Sequence, residues 1–406
     1  MRLDIHVEDG RISELLPAGG VLSPGANVHD MDGGLVLPAF VDMHTHIDKG
    51  HIWPRRPNPD GTWMGALLTV DTDRTGRWAT ADVERRMEFS LRCAYAHGTA
   101  ALRTHLDSIP PQHDISWDLF ERMRERWAGR IELQAVSIIS PDVMLDPAQL
   151  DAVARRTKAA RGILGGAILS HPQSRQAMLA IVDKAASLGL DLDAHVDETL
   201  DPASTSLLDL AEAVLETGFD GKVVAGHCCA LAVQDRTIQQ QTIEKVVEAG
   251  IAIVSLPMCN LYLQDRDQHG AATPARRGVT LAKELATAGV LVAIASDNTR
   301  DPFYAYGDLD CLEVFREGAR IMHFDHPQDR AWDWLRAMTS RAAAISDFAY
   351  RAEIAPGAPA DLLLFRARNW TELLSRPQSD RIVLRSGKPI DTTLPDYREL
   401  DDLMEA

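Results

Sequence analysis

Eight short apolar runs recur through the middle of the chain, each about the length of one buried strand. They begin at residues 33, 98, 131, 163, 189, 222, 250 and 289, and include GGLVLPAFVDMHTH, GTAALRTHLD, GLDLDAHVDE and GVLVAIASDN. Most are flanked by polar–apolar stretches of helical period, such as TADVERRMEFSLRCAYAHG and TIQQQTIEKVVEAG. Near-continuous apolar strands alternating with helices indicate a parallel sheet buried on both faces. Eight such units in ~310 residues fit a closed α/β structure, the (β/α)8 TIM-type barrel. An open doubly wound sheet is the alternative, but no GxGxxG follows the first run. The barrel is assigned to residues 36–345. Residues 1–35 alternate like short strands, with turns at EDGR and PAGG, and IAPGAPADLLLFRA and DRIVLRSGKPI read as strands again. Residues 1–35 and 346–406 are therefore expected to pair into a small β-sandwich.

Charge narrows the function. A net charge of −17 leaves no basic patch for a phosphate backbone, so nucleic acid is excluded, and so is an anionic membrane surface. The opening MRLDIHVEDGRISELL is charged and alternating, unlike a signal peptide. No stretch approaches the ~18 apolar residues of a spanning helix. The five cysteines (Cys93, Cys228, Cys229, Cys259 and Cys311) include no CxxC pair, which fits a reducing, cytoplasmic setting. Cys228 and Cys229 read as small core residues.

The polar residues cluster at the ends of these runs. The first ends in His44 and His46, the second in His105 and Asp107, and the fifth in His195, Asp197 and Glu198. The sixth ends in His227, the eighth in Asp297 and Asn298. Catalytic groups of a barrel sit at the C-terminal ends of its strands. Positions i and i+2 of a strand share a face, so His44 and His46 can both enter the mouth. With His195 and Asp297 they offer three neutral nitrogens and one carboxylate. That donor set suits one divalent metal ion, Zn2+ or Fe2+, with a position left for water. A lone histidine at a strand end is more often a hydrogen-bonded core or surface residue; the concurrence on one rim is what favours ligands.

The order HTH, HVDE, GH and SDN along the chain resembles the amidohydrolase superfamily. The nearest branch is the cytosine deaminase-like one, which includes N-isopropylammelide isopropylamidohydrolase-like enzymes. The likeness extends to RTHLD, LQAV, TPARRGVT and ASDNTRDPF. It implies a β-sandwich built from both termini, and His44, His46, His195 and Asp297 around one metal. Two-metal members carry a bridging lysine after the fourth strand. Here that run is ILGGAILSHPQ, without lysine, so one ion is expected. The resemblance further implies that Glu198 shuttles a proton to a ring nitrogen, with ammonia leaving. A homo-oligomer is the expected assembly.

A metal lowers the pKa of its water to near 7 and so supplies hydroxide at neutral pH. Asp297 is the expected base for its proton, and His227 the hydrogen-bond partner that orients it. His105 and Asp107 are expected to hydrogen-bond the ligands from behind. The plainer alternatives are a surface carboxylate for Glu198 and a core imidazole for His227.

The substrate is expected to be a small heterocycle, held by residues near the rim. Lys49 touches substrate or is a solvated loop lysine. Trp53, Phe303 and Tyr304 wall an aromatic pocket or merely pack their loops. His171 and Asn298 line the mouth. RPNPDGTW reads as an active-site loop within residues 49–65. In the cytosine deaminase-like branch a glutamine after the third strand reads the pyrimidine's amide edge, and that position falls at or beside Ser140, whose hydroxyl cannot make a paired amide contact. The expected activity is hydrolytic deamination of an aminated nitrogen heterocycle. The alternative is an amidohydrolase or N-dealkylase cleaving a substituted triazine or a cyclic amide C–N bond. A catalytically dead ligand-binding scaffold would have no need of Glu198.

Overall fold

The computed structural model describes residues 2–20, 25, 27–267, 270–326 and 331–405. Three strands precede the barrel: β1 (Leu3–Glu8), β2 (Arg11–Pro17) and β3 (Val36–Pro38). The eight apolar runs then supply β4 (Phe40–Thr45), β5 (Thr99–Asp107), β6 (Glu132–Ile138), β7 (Ala167–Ile168), β8 (Leu192–Val196), β9 (Val223–His227), β10 (Ala252–Ser255) and β11 (Val292–Ile294). Every residue of β4 and β5 is buried, as expected of parallel strands covered on both faces. Three strands follow the barrel: β12 (Leu362–Leu364), β13 (Ile382–Arg385) and β14 (Lys388–Pro389).

The barrel strands run parallel in two hydrogen-bonded arcs, β4-β5-β6 and β7-β8-β9-β10-β11. Isolated parallel bridges join the arcs at both seams, Val136 to Ile163 on one side and Thr45 to Asp297 on the other. Helices such as Thr80–His97, Gln112–Arg126 and Ser174–Leu188 lie outside and bury one face against the strands. Below the polar rim, Val41, Met43, Ala101, Val224, Val254, Ala293 and Ala295 pack with Ile345 and Phe348. One charged layer interrupts this filling. The buried Arg103 guanidinium donates to Asp193 at 2.8 Å, to Gln134 at 2.8 Å and to the Ser346 carbonyl at 3.1 Å.

The termini build two small antiparallel sheets, β1-β2 and β14-β13-β12-β3. Their shared core is Ile12, Ala360, Leu362 and Leu364, with Ile5, Leu15 and Val36 against it. Val36–Pro38 thus runs in this sheet, beside Leu362–Leu364, immediately before the chain enters the barrel. Residues 397–404 leave the sheets and pack through Leu400 on Phe89 and Cys93 of a barrel helix. Among the described residues, no helix is long and apolar enough to cross a membrane.

Arg103→Leu is expected to destabilise the chain by about 3–5 kcal/mol in denaturant titrations, because it strands a buried carboxylate. Burial already lifts Asp193 to about 6 even beside Arg103. Losing the guanidinium lifts it further, so the deficit should grow as pH rises through about 6. A deficit independent of pH would contradict this account.

Candidate active site

The metal-type donors meet where β4 and β11 adjoin. The ladder between β4 and β5 shifts register between Asp42 and Thr45, across the first histidine of the HxH pair. Such irregularities re-aim side chains beside functional sites. His44 Nε2 lies 3.0 Å from His195 Nε2, and His195 Nε2 lies 3.2 Å from His46 Nε2. Asp297 Oδ1 lies 3.2 Å from His46 Nε2 and 3.7 Å from His44 Nε2. All four residues are buried. Room for the His44 ring comes from Gly226 in β9: a Cβ there would stand 3.0 Å from His44 Cε1. This is a physical reason for the glycine of the GH pair.

Three strand ends close on a non-glycine residue in the left-handed region: Asp197 (φ 53°), His227 (φ 69°) and Asp297 (φ 68°). Strain of this kind persists only where the surroundings over-determine it. At Asp197 it bends the chain so that Glu198, three residues past His195, still reaches the site. Asp197 itself turns away and accepts hydrogen bonds from Ser204 Oγ (2.7 Å), Ser206 N (2.8 Å) and Leu207 N (3.0 Å), at the start of the next helix.

The donor set fits a divalent ion. Ligand atoms ~2.0–2.2 Å from a shared ion lie roughly 3.0–3.5 Å from one another, close to the spacing seen here. Both Asp297 oxygens are buried, with His46 Nε2 3.2 Å from Oδ1. The imidazoles are held neutral, as ligands must be. Burial, followed by the neighbouring imidazoles, pushes His44 and His195 well below the usual histidine range. Burial and Lys49 lower His46. For Asp297 burial opposes ionisation, but the His46 hydrogen bond and the adjacent imidazoles outweigh it and lower its pKa.

Glu198 and His227 stand beside this cluster. Glu198 Oε2 accepts the Trp63 indole N–H at 2.7 Å, while Oε1 lies 3.3 Å from His227 Nδ1. Burial, then the charge of Asp297, raises Glu198 well above the usual carboxyl range. The Asn260 amide donates to His227 Nδ1 at 2.9 Å. With that orientation the ring's proton sits on Nε2, which has no partner among the described residues. Burial lowers His227 to about 4, so the ring is neutral.

The remaining candidates divide. Lys49 is buried and pairs with Asp107 at 2.7 Å; its ammonium lies 5.5 Å from the Phe303 ring centroid. Asp107 also takes Arg74 at 2.9 Å, so it anchors the cations of the mouth rather than a histidine. His105 lies against His44 with ring centroids 4.0 Å apart. Asn298 donates to Asp301 at 2.8 Å, and Asp301 accepts the backbone N–H of Phe303 at 2.8 Å and of Tyr304 at 3.2 Å. Burial raises Asp301 to about 7. Trp53 is half-buried and its backbone N–H donates to the Arg300 carbonyl. The indole on Glu198 is that of Trp63, at the start of helix Trp63–Arg77 and edge-on to Phe303 at 5.9 Å. Ser140 precedes the short helix Pro141–Leu145, half-buried, its side chain making no capping bond. His171 is half-buried past β7, where its Nδ1 accepts the Gln173 N–H. Sequence reasoning missed Trp63, Asn260 and Cys259. Cys259 offers its thiol to the same neighbourhood as Glu198 and Asp297. The tryptophan was within the loop already singled out, whereas nothing in the sequence marks the other two.

The side chains of Glu198 and His227 are buried along with the four donors. Gly61 (φ 73°) lies so close to Arg266 that a Cβ there would stand 2.8 Å from the guanidinium. Of two surface cavities of about 540 and 500 Å³, the first is lined by Tyr262, Arg266, Tyr306 and the candidate Tyr304, the second by Leu200 and Arg277. The histidine cluster borders neither.

The chain is similar to several known proteins. The profile described as "Amidohydrolase family" matches residues 94–391. A pterin deaminase of Rhizobium rhizogenes is 55% identical over 406 residues, covering 100% of this chain and 92% of that one. The crystal structure of 5-methylcytosine deaminase from Klebsiella pneumoniae with 5-fluorocytosine superposes with a TM-score of 0.83 at 25% identity, covering 97% of this chain and 95% of that chain. N-isopropylammelide isopropylaminohydrolase from Burkholderia multivorans gives 0.73 at 25% identity, covering 95% and 94%.

The chain is expected to hold one divalent ion at this cluster, and elemental analysis of His195→Ala should find most of it gone. Protons compete with the ion for imidazole, but burial holds His44 and His195 well below the usual histidine range, so retention should persist through that range and weaken only at lower pH. A full complement of metal in His195→Ala would remove that residue from the ligand set.

Proposed function

The chain belongs to the amidohydrolase family, and from that premise we propose that it removes the exocyclic amine of a pterin as ammonia. It is a hydrolase of carbon–nitrogen bonds other than peptide bonds, a deaminase of a nitrogen heterocycle. The 55% identity to a pterin deaminase over the full chain supports the pterin. The observation that carries the chemistry is the contrast between two buried carboxyls, Glu198 pushed up and Asp297 held down. Pairs of groups driven apart in this way mark the acid and the base.

His44, His46, His195 and Asp297 would hold one divalent ion, for which imidazole and carboxylate donors suit Zn2+ or Fe2+. When bound, such an ion acidifies a water enough to make it a nucleophile at neutral pH. Trp63 occupies Glu198 Oε2, which leaves the carboxyl proton on Oε1. From there it passes to the ring nitrogen next to the carbon that bears the amine, making that carbon electrophilic. Asp297, held ionised beside the imidazoles, takes the proton of the attacking water. His227 Nε2–H, oriented by Asn260, donates to the new oxygen. The C–O bond forms, the proton held by Asp297 passes to the departing amine, and the C–N bond breaks to release ammonia; the ring nitrogen keeps the proton from Glu198, and the hydroxyl proton of the new oxygen returns to Glu198. Lys49, Asn298 and Phe303 face the substrate from one side in this reading, Trp53, Ser140 and His171 from the outer rim. The five cysteines are free and buried, which supports a cytoplasmic setting.

Glu198→Gln should keep its metal and its fold and lose about 10² to 10⁴-fold in kcat, the usual contribution of a positioned acid–base group. A loss below about tenfold would take Glu198 out of the mechanism.

Cytosine should be a poor substrate. The short Ser140 hydroxyl cannot pair with an amide edge, and an unpaired buried edge costs about 1–3 kcal/mol, roughly 5- to 150-fold. Ammonia release from pterin, cytosine, isocytosine and aminotriazines gives the comparison. A kcat/KM for cytosine above that for pterin would refute the substrate assignment, and release of an alkylamine from substituted triazines would favour N-dealkylation.

A further inference from the structure

Two loops carry the residues around the site, and their backbones are strained at matching points. His51 (φ 65°) follows the HxH strand by a few residues, and Arg300 (φ 47°) follows Asp297. Neither is glycine, so each conformation must be enforced from outside. The two loops are tied together there. The His51 N–H donates to the Thr299 carbonyl and the Trp53 N–H to the Arg300 carbonyl, both at 2.9 Å.

What stands behind this junction is the segment 397–405. The Tyr397 ring stacks on Phe89 at 5.5 Å and lies 6.3 Å from the His51 ring. The Arg300 guanidinium sits 3.8 Å from the centroid of the same ring. The Tyr397 hydroxyl donates to Asp308 at 2.8 Å, on the chain that returns from the Arg300 loop. Farther along, the Leu403 carbonyl accepts Arg55 at 3.0 Å, and Arg55 belongs to the His51 loop. The segment is pinned to the helix Thr80–His97 by Arg92 on Glu399 (2.5 Å) and Arg85 on Asp402 (2.6 Å). One stretch of chain, more than ninety residues beyond Asp297, therefore touches both active-site loops and nothing of the metal cluster.

We propose that this segment is a strap that positions the active site, with Tyr397 as its key residue. By clamping His51 and Arg300 it fixes the junction from which Lys49 and the Asn298–Phe303 turn project toward the substrate. Tyr397 touches neither metal ligand nor substrate; it acts through the two loops. The effect on turnover rests on the proposed function, whereas the effect on the loops does not.

Tyr397 is 40% exposed, so its substitution should leave the fold standing. Hydrogen exchange read by mass spectrometry should show the peptides bearing His51, Trp53 and Arg300 exchanging about tenfold or more faster in Tyr397→Ala, with β5 and β8 unchanged. Tyr397→Phe keeps the ring contacts and should exchange like the parent. In steady-state assays Tyr397→Ala should raise KM more than it lowers kcat, at unchanged metal content, and Tyr397→Phe should restore most of the loss. Unchanged exchange in the two loops, or acceleration spread evenly over the barrel strands, would overturn the proposal. If the parent enzyme does not deaminate pterin, the functional reading fails while the exchange comparison still decides the strap.

Discussion

A single backbone hydrogen bond does two things at once in this molecule. The Asp297 N–H donates to the His44 carbonyl at 2.9 Å, where β11 meets β4. That bond joins one of the two seams between the strand arcs. It also sets two of the four metal-type donors on adjoining chains. The site is consequently a product of closure: its ligands lie together only when the first and last barrel strands do. Because those strands are separated by some 250 residues of chain, the donor cluster cannot exist in a locally folded fragment.

Burial then decides what each group can do. Imidazoles inside the barrel remain neutral and free to ligate, because the charged form is too costly to desolvate. The same burial acts oppositely on the two carboxyls. Asp297 has imidazoles around it and stays ionised, while Glu198 faces that negative charge and keeps its proton. Farther out, Lys49 holds its proton because Asp107 and Asp48 outweigh burial. In the proposed mechanism, acid, base and cation are thus set by neighbours rather than by residue type.

The sequence revealed those parts of the site that a strand periodicity can locate. His44 and His46 are legible because alternate residues of a strand share a face, and His195, His227 and Asp297 because each ends an apolar run. The eight-unit architecture was legible for the same reason. Residues reaching the site from loops and helices were not. The loop at residues 49–65 contains both Trp53 and Trp63, and only the fold shows that Trp63 meets Glu198. Asp107 shares its strand face with His105, so a role beside the histidines was the natural reading. In the structure its carboxylate is drawn to Lys49 and Arg74. Asn260 and Cys259 lie on a short helix after β10, in a stretch that reads as ordinary core.

This division has a chemical consequence. In the proposed function the donors legible from periodicity hold the ion and do not read the edges of the ring being attacked. Discrimination would then fall to groups whose positions depend on loop conformation: Lys49, Trp63, Ser140, and Phe303 with its Asp301 anchor. Two of them already meet at Glu198: the Trp63 indole donates to its carboxyl and lies edge-on to the Phe303 ring at 5.9 Å. In the proposed function, a larger fused ring would offer more apolar face to Trp63 and Phe303 than a single pyrimidine does, and those contacts would favour the bicyclic substrate.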